Sequence, residues 1–81
     1  MSEFDEAKNR FQFAPILPME EMLEIYALYK QGTVGDINIE KPKIQDFKGI
    51  AKWEAWYKKK GKSIEEAKTL YIEQVDKLVP K

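Results

Sequence analysis

With 81 residues, of which 43% are hydrophobic and 35% charged, the chain suffices for one core but not a second, and its composition is neither disordered nor membrane-spanning. The absence of cysteine and histidine excludes a disulfide framework, thiol chemistry, the commonest general base and the commonest transition-metal ligand. A formal net charge of zero argues against an extended polyanion such as nucleic acid as partner.

Met1 to Asp5 carry no basic segment followed by an apolar one, so no secretory signal is expected and a cytoplasmic address fits. Ser2 has the spacing of an N-cap to Asp5, and Phe4, Ala7 and Phe11 repeat at three and four residues. That stripe predicts a first helix over 3–13, docked through its two phenylalanines. Ala14-Pro15-Ile16-Leu17-Pro18 ends it, because each proline disfavours the α region for the residue before it.

A second helix is predicted over 19–31, with Pro18 near its first turn and Glu20 and Glu21 at the positive end of its dipole. Met22, Ile25 or Tyr26, and Tyr29 form its repeating face, and Gly32 is the expected left-handed cap. Residues 33–43 hold Gly35, Asp36, Asn38 and Pro42 and read as loop; Val34, Ile37 and Ile39 alternate like a strand, but no second strand exists to pair with them.

Helical spacing returns over 46–60 with Phe47, Ile50, Ala51, Trp53, Ala55 and Trp56, and Gly61 ends it. Ser63-Ile64-Glu65-Glu66 is a capping box, from which Ala67, Leu70, Tyr71, Val75 and Leu78 carry a last helix to about 79, before Pro80. Four helices without a sheet or an internal repeat predict an all-α bundle in one domain, 1–81.

Charges are segregated along this chain. Residues 1–26 set Glu3, Asp5, Glu6, Glu20, Glu21 and Glu24 against Lys8 and Arg10 alone, whereas residues 41–62 are rich in lysine with only Asp46 and Glu54 opposing. A locally positive face on a neutral chain suits a compact anionic ligand as well as it suits a plain solvated surface. Tyr26, Tyr29 and Lys30 stand at i, i+3 and i+4 on one helix surface, and Lys48 and Lys52 share a face of the next helix. Together they gather three ammoniums beside aromatic rings, a combination suited to a nucleotide-like head group. The competing reading makes Trp53, Trp56, Tyr26 and Tyr71 core, and Lys58 to Lys60 with Lys62 a solvated helix end.

Catalysis has no support. Glu65 and Glu66, Glu20 and Glu21, and Asp5 and Glu6 are adjacent pairs, and adjacent side chains on a helix do not face each other as an acid and base must. There is no phosphate-cradling glycine loop and no cluster with metal-ligand spacing, so neither enzyme activity, cofactor nor metal is expected.

Glu21-Met22-Leu23-x-Ile25-Tyr26-x-x-Tyr29-Lys30-Gln31-x-Thr33-Val34-Gly35-Asp36, then Phe47-Lys48-Gly49-x-Ala51-Lys52-Trp53-Glu54-Ala55-Trp56, then Tyr71-Ile72, resemble the acyl-CoA-binding protein family from Glu20 onward. The resemblance implies an up-down-down-up four-helix bundle that binds long-chain fatty acyl-CoA thioesters with high affinity. It further implies an intracellular carrier and pool former, a cytoplasmic monomer in transient contact with membranes or acyl-CoA-using enzymes, with no nucleic acid as partner. Carried over by position, the ligand residues are Tyr26, Tyr29, Lys30, Lys48, Lys52 and Tyr71, the segment from Tyr26 through Ala27 and Leu28 to Lys30 forming one wall. In the family, lysines of this set meet the 3′-phosphate of the CoA head and tyrosine rings contact the adenine.

The chain departs from the family at Gln12, where many members carry a lysine, at Ile50, and between Arg10 and Pro18, where phenylalanines, Ile16 and two prolines replace lysines. Two other readings are a helical protein-interaction module, which predicts no response to acyl-CoA, and a small nucleic-acid-binding domain, against which the zero net charge counts.

Overall fold

In a computed structural model, which describes residues 2–79, the chain forms α1 (Glu3–Phe11), α2 (Met19–Thr33), α3 (Phe47–Tyr57) and α4 (Ile64–Leu78), with no strand among the described residues. The all-α expectation holds. Met1 and Pro80, on which the expected absence of a secretory signal and the expected helix stop bear, lie outside the described residues.

Three helices begin where a short polar side chain accepts an orphan amide. Ser2 accepts from the Asp5 N–H at 3.1 Å, Asp46 from Gly49 at 2.9 Å and Ser63 from Glu66 at 3.0 Å. Each such cap contributes about 1 kcal/mol. α2 begins instead on Pro18, whose carbonyl accepts the Glu21 and Met22 amides, each at 3.1 Å.

Helix ends depart from expectation by a turn or less. α1 stops at Phe11 and tightens into i→i+3 bonds, Phe13 N–H to the Arg10 carbonyl at 3.1 Å and Ala14 to Phe11 at 3.0 Å. α3 likewise stops at Tyr57, before Gly61, which takes a positive φ of 97°. Gly32, expected as the left-handed cap of α2, lies inside the helix; the left-handed residue is Gly35, at φ 94°. Gly32 faces α4, where an added Cβ would stand 3.2 Å from Lys68 Cγ, a tight contact at the α2–α4 interface.

α2 packs on both α4 and α3, and α1 packs on α4. The core joins Phe4 and Ala7 of α1, Ile25 and Leu28 of α2, and Tyr71 and Val75 of α4. Phe4 stacks on Tyr29 with centroids 5.8 Å apart and tilts against Tyr71 at 5.1 Å. Phe11, the second expected anchor, is only partly buried against this cluster, and Phe47 of the predicted α3 stripe is 78% exposed at the first residue of its helix. Arg10 ties the end of α1 to the end of α4 through the Asp76 carboxylate and, at 3.2 Å, the Val79 carbonyl.

Indoles and one buried amide hold the long α2–α3 connection. Trp56, buried to 2% exposure, donates to the Gly35 carbonyl at 2.9 Å, and Trp53 donates to Ile39 at 2.8 Å. Gln31 is fully buried and donates to Asp36 Oδ1 and the Lys62 carbonyl, both at 2.8 Å; Asp36 Oδ1 also accepts the Gly61 amide at 2.9 Å. These two donors hold the Asp36 carboxyl below its usual range, the Gly61 amide contributing most.

Candidate functional site

Among the described residues, α1 packs on α4 and α3 on α2, and α1 and α3 do not pack on each other. The gap between them is a groove of about 710 Å³, within the size range of small-molecule sites. Ile25 of α2 and Tyr71 of α4 line its interior. Lys8, Phe11 and Gln12 of α1 form one wall, Lys48, Ala51 and Lys52 of α3 the other, and Met19, Met22, Leu23, Tyr26 and Tyr29 run along α2 between them. The apolar lining follows from α2 spacing, since Met19, Met22, Tyr26 and Tyr29 recur at three and four residues and share one helix face.

The groove has two unlike ends. At Tyr26 and Tyr29, ammoniums from opposite walls stand over neighbouring rings: Lys52 Nζ is 5.4 Å from the Tyr26 centroid and Lys8 Nζ is 5.5 Å from that of Tyr29. At Met19 and Met22, about 15 Å away along the helix axis from Tyr29 to Met19, the lining is apolar and open, Met19 being 65% exposed. Among the described residues no carboxylate lines the groove. Burial, and secondarily Tyr29, push the Tyr71 hydroxyl up to about 12, so this phenol stays neutral throughout the physiological range. Such a groove can enclose a flexible apolar chain while presenting cations to an anionic head. Among the described residues no carboxylate, imidazole or thiol group is arranged to hold a metal.

Of the residues expected to form the site, Tyr26, Tyr29, Lys48, Lys52 and Tyr71 line this one groove. Lys30 does not; its Nζ lies 5.3 Å from the Trp56 ring centroid on the α3 side. Ala27 and Leu28 face inward, both fully buried, with Leu28 in the core. Trp56 is a core residue bonded to the connection, and Trp53 stacks on Tyr57 at 5.0 Å, so neither indole lines the groove. Gln12 lines it, whereas Ile16 is fully exposed beyond it and Ile50 is absent from its walls.

Lys8, Met19 and Ala51 belong to the lining without having been singled out from the sequence. Two of them carried a legible signal: Lys8 is one turn before Gln12, at i and i+4, and Met19 extends the Met22, Tyr26, Tyr29 series backwards by three.

A family model described as "Acyl CoA binding protein" matches residues 1–75. The acyl-CoA-binding protein of Saccharomyces cerevisiae is 49% identical over 79 residues, an alignment covering 96% of this chain and 91% of that protein. Among solved structures, Oryza sativa acyl-CoA-binding protein 2 superposes with a TM-score of 0.91 at 40% identity, covering 94% of this chain and 86% of its own. The corresponding protein of Moniliophthora perniciosa gives 0.86 at 37% identity, covering 100% and 86%.

Proposed function

This chain belongs to the acyl-CoA-binding protein family, and from that premise we propose that its groove binds a long-chain fatty acyl-CoA thioester with high affinity. The observation that carries this reading is the polarity of the groove, with lysines seated on Tyr26 and Tyr29 at one end and an open apolar trough toward Met19 at the other. The acyl chain occupies the trough and the phosphorylated head meets the lysines. Burying a methylene is worth about 0.8 kcal/mol, so a dozen of them offer on the order of 10 kcal/mol before the costs of association. The chain therefore dominates affinity and the head sets specificity.

In this reading Tyr26, Tyr29, Lys48, Lys52 and Tyr71 contact the ligand, and Ala27 and Leu28 support that wall from the interior. Lys30, adjacent to Tyr29 in sequence, joins the cationic end when its ammonium leaves the Trp56 face. Residues 1–81 act as one binding domain and not as an enzyme; the bound thioester is the ligand and no cofactor takes part. Sequestration of the chain makes the protein a carrier and pool former, working as a cytoplasmic monomer in transient contact with membranes or acyl-CoA-using enzymes. Among the described residues no helix is long and apolar enough to cross a membrane, which is compatible with that role.

Isothermal calorimetry with palmitoyl-CoA, palmitate and CoA tests the proposal. Palmitoyl-CoA binds far more tightly than either part alone; equal affinity for palmitate and palmitoyl-CoA rules the reading out.

A further inference from the structure

Lysines outside and inside the groove can be compared by what faces them. Lys41, Lys59 and Lys62 each face a carboxylate, Glu54 at 3.4 Å, Glu24 at 2.7 Å and Glu66 at 4.0 Å. The groove lysines Lys8, Lys48 and Lys52 have no carboxylate within ion-pair distance among the described residues, and two of them stand over tyrosine rings instead. Arg10, the other cation of α1, is committed to Asp76 and the Val79 carbonyl. Lys8 is therefore the one uncommitted cation that α1 brings to the groove.

Its placement is specific. Tyr26 and Tyr29 are neighbours one turn apart on α2, and the ammoniums above them arrive from opposite walls, Lys8 from α1 and Lys52 from α3. Like charges facing one space with no carboxylate between them repel, and the repulsion is relieved by a multiply charged anion placed there. Cation–π contact with Tyr29 keeps the Lys8 ammonium at the groove and leaves its N–H donors for an acceptor.

We propose that Lys8 is a ligand-binding residue, whose ammonium takes a phosphate oxygen of the CoA head from the α1 side while Lys52 holds the head from the α3 side. The inference rests on the acyl-CoA reading above. What is specific to this chain is the position: many members of the family carry a lysine where this chain has Gln12, and the cation that α1 brings to the groove here is Lys8, one turn earlier.

The test compares wild type, Lys8→Met and Lys8→Arg by calorimetry at low salt, with dodecanoyl-CoA and with dodecanoyl-pantetheine, a thioester without phosphate. Lys8 is exposed on its helix, and far-ultraviolet circular dichroism checks that both variants keep the fold. Lys8→Met weakens dodecanoyl-CoA binding about fivefold, in the range between an exposed ion pair and a charge-assisted hydrogen bond. It leaves dodecanoyl-pantetheine unchanged, while Lys8→Arg stays near wild type for both. Unchanged dodecanoyl-CoA affinity in Lys8→Met, with wild type binding normally, overturns the Lys8 assignment alone. An equal loss for both thioesters overturns it too, since the lysine stem then acts by packing on Tyr29. Wild type that binds neither thioester overturns the acyl-CoA reading and this inference together.

Discussion

Two sides of α2 use lysines and aromatic rings to opposite ends. On the groove side, Lys8 and Lys52 sit over Tyr29 and Tyr26 with no carboxylate among the described lining residues, beside a space that α1 and α3 leave unfilled. On the side facing the α2–α3 connection, Lys30 sits over Trp56 in much the same geometry, but Trp56 is buried and its indole is bonded to Gly35. Chemical type does not separate the two. What separates them is the state of the ring and the space beside it: the Trp56 indole is buried and hydrogen-bonded and holds the fold, whereas Tyr26 and Tyr29 line a groove that can take a ligand.

Breaking the satisfied side has the largest expected effect. Trp56→Ala removes a buried indole and its hydrogen bond, and lowers unfolding free energy by about 3–5 kcal/mol, read from urea melts. Acyl-CoA affinity per folded molecule changes much less. A stability loss under about 1 kcal/mol, below the range for such truncations, removes the structural role given to that face.

The reciprocal substitution lies on the groove side. Lys52→Met deletes an exposed ammonium, so urea melts overlay wild type while acyl-CoA binding weakens by about 1–2 kcal/mol at low salt, the scale of an exposed charge-assisted contact. Raising salt narrows the gap, because the lost attraction is screened. Wild-type affinity in Lys52→Met at low salt removes the head group from this end of the groove.

The asymmetry also explains what could be read from the sequence. Helix starts were legible because Ser2 and Ser63 cap by local chemistry, and the existence of four helices because apolar spacing is local as well. The cap of α2 was not, since Gly32 and Gly35 both carry the glycine signal and only the run of α2 through Gly32, against α4 at Lys68, leaves the left-handed position to Gly35. The site was read in the same proportion. Tyr26, Tyr29, Lys48 and Lys52 share their faces by spacing alone, whereas the turning of Lys30 onto Trp56 depends on where α3 arrives. Lys8 does not stand out in the sequence, because the Phe4, Ala7, Phe11 stripe identifies the docking face of α1 and says nothing of the gap beside it. That gap is a relation between α1 and α3, far apart in the chain, and no local pattern encodes it.

The smallest expected effect refines the satisfied side and depends on pH. Asp36 accepts from Gly61 and Gln31, joining the end of α2 to the turn before α4, and both donors favour its charged form. Its folded-state pKa lies below the ordinary 3.8, so the folded protein binds fewer protons than the unfolded chain in this range. The stabilisation is fully present above the unfolded-state value and is lost as pH falls from there through the folded value. Asp36→Asn keeps the shape and one acceptor but cannot titrate. The stability difference between wild type and variant, measured by urea melts along a pH series, is therefore present near neutrality and shrinks as the solution is acidified below 3.8. A difference that stays constant through that window means that the amide contacts, and not the carboxylate charge, secure the connection. The clasp would then be as indifferent to charge as the indole bonds beside it.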